Sequence, residues 1–310
     1  MKAALRKDGI NGTPLLNTST FAPLSSMNQV LYKNALPTLE NIDAQDVFDV
    51  VIADPPYNIG KDFGNNSDHR TINEYILWCD KWIGECLRLA KPSAPVYIYG
   101  FAEVLAHIAV RYPLEKQKWM VWHYTNKTVP TMKFWQRSHE SILCLWKGSK
   151  PRIYVNAVRE EYTETFLKNA AGKVRKETYC RYSTKGKKTV YQAHPQGALP
   201  RDVLKVPALA GGAGFSERWF YCKSCNRLCE PREAEAHRTH DTIRHPTQKP
   251  QALTTKLILS AAKAGDCVLI PFAGSGAECV AAQKMNVNFY ATEINADYVC
   301  LANHWLKHER

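Results

Sequence analysis

The stretch "VLIPFAGSGAECVAA", Val268 to Ala282, decides the fold. An apolar run rich in β-branched residues enters a turn with two glycines, and a helical pattern leaves it. Gly274 and Gly276 free the backbone to turn tightly and to approach a ligand closely. About one secondary-structure unit later, "NFYATEIN" ends a second strand in Glu293. An acid at that place can accept hydrogen bonds from both hydroxyls of a ribose. Strand, glycine turn, helix, strand and acid together suit an adenosine-type cofactor. A lone Gly-x-Gly would mark only a tight turn.

Outward from this unit the same rhythm recurs. Short apolar runs lie at 47–53, 95–100, 118–124, 141–146, 266–271 and 287–292. Near-continuous apolarity over such lengths predicts strands buried on both faces. Helical patterns fall between them, at 72–90, 101–112, 252–264 and 277–285. Alternation of strand and helix predicts an α/β fold: a Rossmann-like, doubly wound, mostly parallel sheet. In such sheets ligands bind beyond the carboxyl ends of the strands, where the winding reverses.

A second loop has the same strand context. In "VVIADPPYNIG", Val50 to Gly60, an acid, two prolines and an aromatic follow a strand-forming run directly. Such a loop could be turn chemistry or a clamp for a flat, polar ring; were the ring a nucleobase, its exocyclic amine would be a poor nucleophile, because its lone pair is delocalised into the ring. Two acceptors on its N–H groups favour the sp3 form; the Asp54 carboxylate and the Pro55 carbonyl are candidates, with Pro55 and Pro56 fixing the loop. Tyr57 offers a face on which a ring can stack. A base inside a duplex cannot reach such a pocket, so it must be flipped out.

With both loops in view, the chain resembles the β class of S-adenosylmethionine-dependent DNA amino-methyltransferases, which act on adenine N6 or cytosine N4. "DPPY" (54–57) is similar to their catalytic motif, "PFAGSG" (271–276) to their cofactor loop, and "HPTQKP" (245–250) to a further cofactor-side motif. The catalytic half precedes the cofactor half, a permuted order. The resemblance spans roughly 28–150 and 245–305. It implies catalytic roles for Asp54, Pro55, Pro56 and Tyr57. It places Phe272 on the adenine side of the cofactor, Gly274, Ser275 and Gly276 in its loop, Glu293 on its ribose, and Thr247 and Lys249 near its methionine end. Asp-Pro-Pro-Tyr favours adenine over cytosine; the alternatives are a cytosine N4 DNA methyltransferase, an RNA adenine methyltransferase and a catalytically weak nucleic-acid-binding protein on the same scaffold. The resemblance also implies double-stranded DNA as partner, and it leaves open a restriction endonuclease partner and a homodimer. Two positions depart from the family pattern: Ile270 stands where an acid usually opens the cofactor loop, and "VLYKNAL" offers Asn34 where an acid usually follows a short strand.

The domain reading is a catalytic half at 1–150, an inserted target-recognition module at 151–244 and a cofactor half at 245–310. The formal charge is +12, and twelve Lys/Arg against four Asp/Glu fall between Lys147 and Val190. A basic block interleaved with Tyr154, Tyr162, Tyr179, Tyr182 and Tyr191 suits phosphate contacts and stacking, or a solvated face. The module ends in "YCKSCNRLCEPREAEAHRTH". Cys222 and Cys225 form a Cys-x2-Cys pair, and His237 and His240 a His-x2-His pair, the pattern of a zinc knuckle or short finger with Cys229 as a substitute ligand. A loop of reduced thiols is the alternative. Cys79, Cys86, Cys144, Cys180, Cys267, Cys279 and Cys300 show no pairing pattern and read as small core residues of a reducing compartment. No apolar run approaches the ~18 residues of a membrane span, and "MKAALRKDGINGTPLL" lacks a secretory signal. A cytoplasmic, nucleoid-associated protein is expected.

Overall fold

The apolar runs become strands, and the computed structural model describes them within residues 26–60, 69–126, 133–175, 189–210 and 216–309. The N-terminal stretch, Tyr179, Cys180, Tyr182 and much of the basic block lie outside the described residues. The first half of the chain runs β1 (Val30–Tyr32), α1 (Ala35–Glu40), β2 (Val50–Ala53), α2 (Ile72–Leu89), β3 (Val96–Gly100), α3 (Ala102–Ala109), β4 (Gln117–His123) and β5 (His139–Leu145). It continues through α4 (Glu164–Asn169), β6 (Val174–Arg175), β7 (Thr189–Val190), β8 (Val203–Lys205), β9 (Phe220–Cys222), β10 (Arg227–Cys229) and β11 (Thr242–Ile243). The last part is α5 (Gln251–Ala261), β12 (Cys267–Ile270), α6 (Ala277–Lys284), β13 (Asn288–Glu293) and α7 (Ala296–His308).

Eight strands form one sheet in the order β1-β13-β12-β2-β3-β5-β4-β8. Every neighbouring pair is parallel except the two that involve β5. Every residue of β2 and β3 is buried, as continuous apolar runs require. One face of the sheet is covered by α5, α6 and α7, with Leu257, Val280 and Trp305 in the core. The other is covered by α1, α2 and α3, with Leu39, Trp82 and Leu105. Three layers result, as the alternating pattern predicted.

Helix boundaries follow local chemistry. α2 starts at "TINE": Thr71 accepts the Glu74 backbone N–H at 3.3 Å, and the Glu74 carboxylate accepts the Thr71 N–H at 3.0 Å. This reciprocal cap satisfies two donors that a helix start leaves unpaired.

Segment 151–244 contributes strands to three sheets. β8 joins the main sheet beside β4, and the Trp122 indole N–H donates to the Val206 carbonyl at 2.9 Å. β10, β9 and β11 make a separate antiparallel sheet, seated on α7 through Tyr221, Ile243 and Leu301. Among the described residues, β6 and β7 pair only with each other. The sequence pattern missed β8 because three residues are too few for a periodicity.

Candidate active site

The winding reverses between β12 and β2. From β12 the chain crosses through α6 to β13 on one side, and from β2 it crosses through α2 to β3 on the other. The two helices lie on opposite faces, so the strand ends between them open into a crevice. β12 and β2 are paired neighbours, Leu269 against Val51. Asp54 and Pro271 therefore leave adjacent strands at the same edge. A single cleft of about 350 Å3, within the range of small-molecule sites, is lined by Asp54, Tyr57, Lys249, Phe272, Gly274 and Glu293 among others. Residues 54–57, 247–249 and 271–275 all reach it.

The glycine loop needs its glycines. Gly274 has φ +51°, and a Cβ there would come within 2.9 Å of His245 Nε2. Gly276 has φ +84°, and its Cβ would come within 2.6 Å of the Ala302 Cβ. The second glycine thus lets α6 start against α7, and the first lets the loop lie on the "HPTQKP" segment. Glu293 braces the turn: its carboxylate accepts the Gly274 N–H at 2.8 Å and the Asn295 N–H at 2.8 Å. A carboxylate has about four lone-pair sites, so capacity remains on the cleft side. Burial raises the Glu293 pKa against these hydrogen bonds. Phe272 lines the cleft and packs on Trp78 and Trp82, with ring centroids 5.7 and 5.1 Å away. Ile270 is fully buried in the core on the α5–α7 side. Asn34 sits on the cleft wall.

Around Asp54 the structure assembles a network that the sequence only partly announced. Lys249, 4% exposed, donates to Asp54 Oδ2 at 2.8 Å and lies 3.6 Å from Glu140 Oε2. The Tyr57 hydroxyl lies 2.9 Å from Asp54 Oδ1 and 2.9 Å from Glu140 Oε2. With one proton, it donates to one of them at a time. The Tyr124 hydroxyl donates to Glu140 Oε1 at 2.7 Å, and the Tyr75 hydroxyl to the Pro56 carbonyl at 2.7 Å. The loop is thereby fixed from both ends of its prolines.

The electrostatics follow from burial. Desolvation raises the Asp54 pKa, and Lys249 opposes the rise. Burial alone would depress the Lys249 ammonium, but Asp54 and Glu140 reverse this, and its pKa rises. Burial and then the two acids push the Tyr57 phenol well up, so it remains a neutral donor. Glu278, buried at the start of α6, is pushed up to about 8 by desolvation and then by Asp54.

Glu140, Tyr124 and Glu278 were not foreseen. Glu140 lies in β5, just before the apolar run 141–146, and Tyr124 lies just past the end of β4, whose residues are mostly half-buried. Because β5 runs antiparallel, its first residues lie at the edge where β2 and β12 end, and Glu140 is one of them. A polar pair, His139 and Glu140, opening an otherwise apolar strand was the available signal. Lys249, expected beside a cofactor, is paired with the loop acid itself.

A family model described as DNA methylase (N6/N4 methyltransferases) matches residues 48–304. The chain belongs to the N6/N4 DNA methylase family. Among curated relatives, the type II methyltransferase M.HpaI of Haemophilus parainfluenzae is 27% identical over 288 residues, covering 91% of this chain and 74% of that protein. The DNA adenine methyltransferase YhdJ of Escherichia coli K12 is 28% identical over 272 residues, covering 87% and 79%. Among solved structures, the PvuII cytosine-N4-specific DNA methyltransferase superposes with a TM-score of 0.59 at 12% identity, covering 89% of this chain and 85% of that one. A DNA modification methylase of Thermus thermophilus, complexed with S-adenosyl-L-methionine, gives 0.50 at 18% identity, covering 91% and 93%. At these identities the two structures establish the fold of this methylase.

The methylase also brings its Cys/His residues together, away from the cleft. The ligand atoms of Cys222, Cys225, His237 and His240 lie within 4.8 Å of one another. His240 Nδ1 is 3.4 Å from Cys222 Sγ and 3.3 Å from Cys225 Sγ, and His237 Nδ1 is 3.8 Å from Cys225 Sγ. The two Nδ1 atoms are 3.1 Å apart. Cys229, expected as a substitute ligand, lies instead on the other side of the His237 ring, 3.7 Å from Nε2. Among the described residues, no helix is long and apolar enough to cross a membrane.

Proposed function

We propose that this methylase transfers a methyl group from S-adenosylmethionine to the N6 amine of an adenine flipped out of double-stranded DNA. The observation that carries the reading is the shared cleft: the Asp54–Tyr57 loop and the glycine loop leave neighbouring strands and face one space. The residues present fit the cofactor. A glycine turn allows close approach, Glu293 keeps free acceptor capacity toward a ribose, and Phe272 supplies an aromatic wall. Thr247 and Ser275 contribute to the same wall.

When bound, the cofactor supplies an electrophilic sulfonium methyl. The chain's own residues prepare the nucleophile. Asp54 accepts an N–H of the amine and draws its nitrogen toward sp3 geometry, which frees the lone pair for attack. Lys249 favours the charged form of Asp54 against the cost of burial. Tyr57 is half-buried, its hydroxyl tied to the two acids; its ring, which Lys249 and Phe101 contact at 5.1 Å, supplies an aromatic surface for stacking on the base. Transfer of the methyl group, from sulfur to nitrogen, would leave an extra proton on the amine. Asp54, or water in the cleft, receives it.

Adenine is preferred because the loop reads Asp-Pro-Pro-Tyr; YhdJ, a DNA adenine methyltransferase, is among the relatives. The test is incubation with methyl-labelled S-adenosylmethionine and duplex DNA, followed by digestion to nucleosides. Label in N6-methyladenosine supports the reading. Label in N4-methylcytosine overturns the choice of base, and unlabelled DNA overturns the activity.

A further inference from the structure

The β9–β11 sheet is too small to hold itself together. Its strands have three, three and two residues, and its own core is Phe220, Cys222 and Cys229. Units of this size need a staple or a metal. The loop between β9 and β10 and the turns after β10 bring two sulfurs and two imidazole nitrogens to one point.

The spacing fits a metal. With Zn–S of about 2.3 Å and Zn–N of about 2.05 Å, a tetrahedral centre has S···N edges of about 3.6 Å and an N···N edge of about 3.4 Å. The S···N edges of 3.3, 3.4 and 3.8 Å span the first value, and the N···N edge of 3.1 Å is slightly shorter than the second. Two thiolates and two imidazoles select zinc among common ions, and four protein ligands leave no open position for catalysis. Cys222 and His237 are buried while Cys225 is exposed, so the site lies just under the surface. With Nδ1 of His237 on the ion, the ring proton sits on Nε2, where Cys229 Sγ can accept it. Arg227 Nη2 lies 3.2 Å from that nitrogen and can only donate, so the ligand tautomer requires Arg227 to give up this contact and keep its pairing with Glu233.

We propose that Cys222, Cys225, His237 and His240 bind one structural zinc ion, which fixes the β9–β11 sheet on α7 and thereby the approach of the 245–249 segment to the cleft. β11 ends at Ile243, and the segment it feeds carries Lys249 to Asp54. Arg218, just before β9, donates to the carbonyls of His245 and Pro246 at 3.2 and 3.3 Å. The small sheet thus grips that segment from both sides. Binding the ion releases the two thiol protons.

The test uses the full chain, purified under reducing conditions without chelator, and needs neither DNA nor methyl donor; its failure is therefore separate from failure of the proposed reaction. Elemental analysis is expected to find about one zinc per chain. After zinc removal, added Co2+ is expected to give the visible bands of tetrahedral S2N2 coordination. Cys225→Ser, at the exposed ligand, loses the metal, whereas Cys229→Ser keeps it. In the metal-free chain, protease cleavage within 216–249 increases. Wild-type chain that carries no zinc and shows no tetrahedral Co2+ spectrum overturns the site. Metal kept by Cys225→Ser and lost by Cys229→Ser overturns the ligand set. Unchanged cleavage on metal removal overturns the structural role.

Discussion

Replacing Lys249 by Met removes the buried cation that Asp54 and Glu140 share while keeping most of its volume. At 2.8 Å, the attraction between Lys249 and Asp54 is gross about 6 kcal/mol at an effective dielectric of about 20. The loss of stability is smaller, because a carboxylate that becomes too costly takes up a proton. Protonating an Asp of ordinary pKa ~3.9 at about pH 7 costs roughly 4 kcal/mol, and this caps the loss per acid. Breaking a buried pair typically costs about 3–5 kcal/mol, so the two routes agree. With an unfolding entropy of about 2.1 cal/mol/K per residue over 310 residues, Tm falls by roughly 6 °C. The effect on turnover has a definite sign. Burial raises the Asp54 pKa and Lys249 holds it down; without the lysine the pKa rises further. At any given pH a larger share of Asp54 is then protonated, and that form accepts the amine N–H poorly. The acid limb of the methylation rate moves to higher pH, and activity lost at neutrality returns in alkali. Single-turnover methylation across neutral to alkaline pH, with thermal unfolding alongside, measures both. An unchanged pH profile together with an unchanged Tm refutes the role of the pair.

Other expectations follow from the same geometry. Gly276→Ala places a Cβ 2.6 Å from that of Ala302 at φ +84°; overpacking and left-handed strain together cost about 2–4 kcal/mol, read from urea unfolding. Glu278 has a folded pKa of about 8 against 4.5, so its protonated form stabilises the fold at low pH and that stability is lost as pH rises through about 8. Glu278→Gln stays neutral, and its stability relative to the parent grows by a few kcal/mol from acid to mildly alkaline pH. Tyr57→Ala removes a stacking face worth about 1–3 kcal/mol and lowers kcat/KM by about tenfold to a hundredfold, while Tyr57→Phe, which keeps the ring, loses clearly less.

The fold was legible because its buried strands are continuous apolar runs and α2, α3 and α7 bury one face, although α6 is buried all round. Six runs named from sequence became β2, β3, β4, β5, β12 and β13 within a few residues. β1 and β8, three residues each, carry no period and are recruited by pairing with β13 and β4. In the site, Asp54 and the glycines were legible because a turn at a strand end constrains residue type locally. Glu140 was not, since its role arises from the antiparallel sense of β5, which no local pattern encodes. The pairing of Lys249 with Asp54 joins positions 195 residues apart, and only the assembled sheet brings them together. The Cys/His spacing named four ligand candidates, but the side of the His237 ring on which Cys229 falls required coordinates.

A structure of the chain with a non-reactive S-adenosylmethionine analogue tests the shared cleft most directly. The account predicts the analogue's ribose on Glu293, its adenine beside Phe272 and its methyl-bearing end turned toward Asp54. An analogue bound elsewhere, or with its methyl-bearing end turned away from Asp54 and Tyr57, would contradict it.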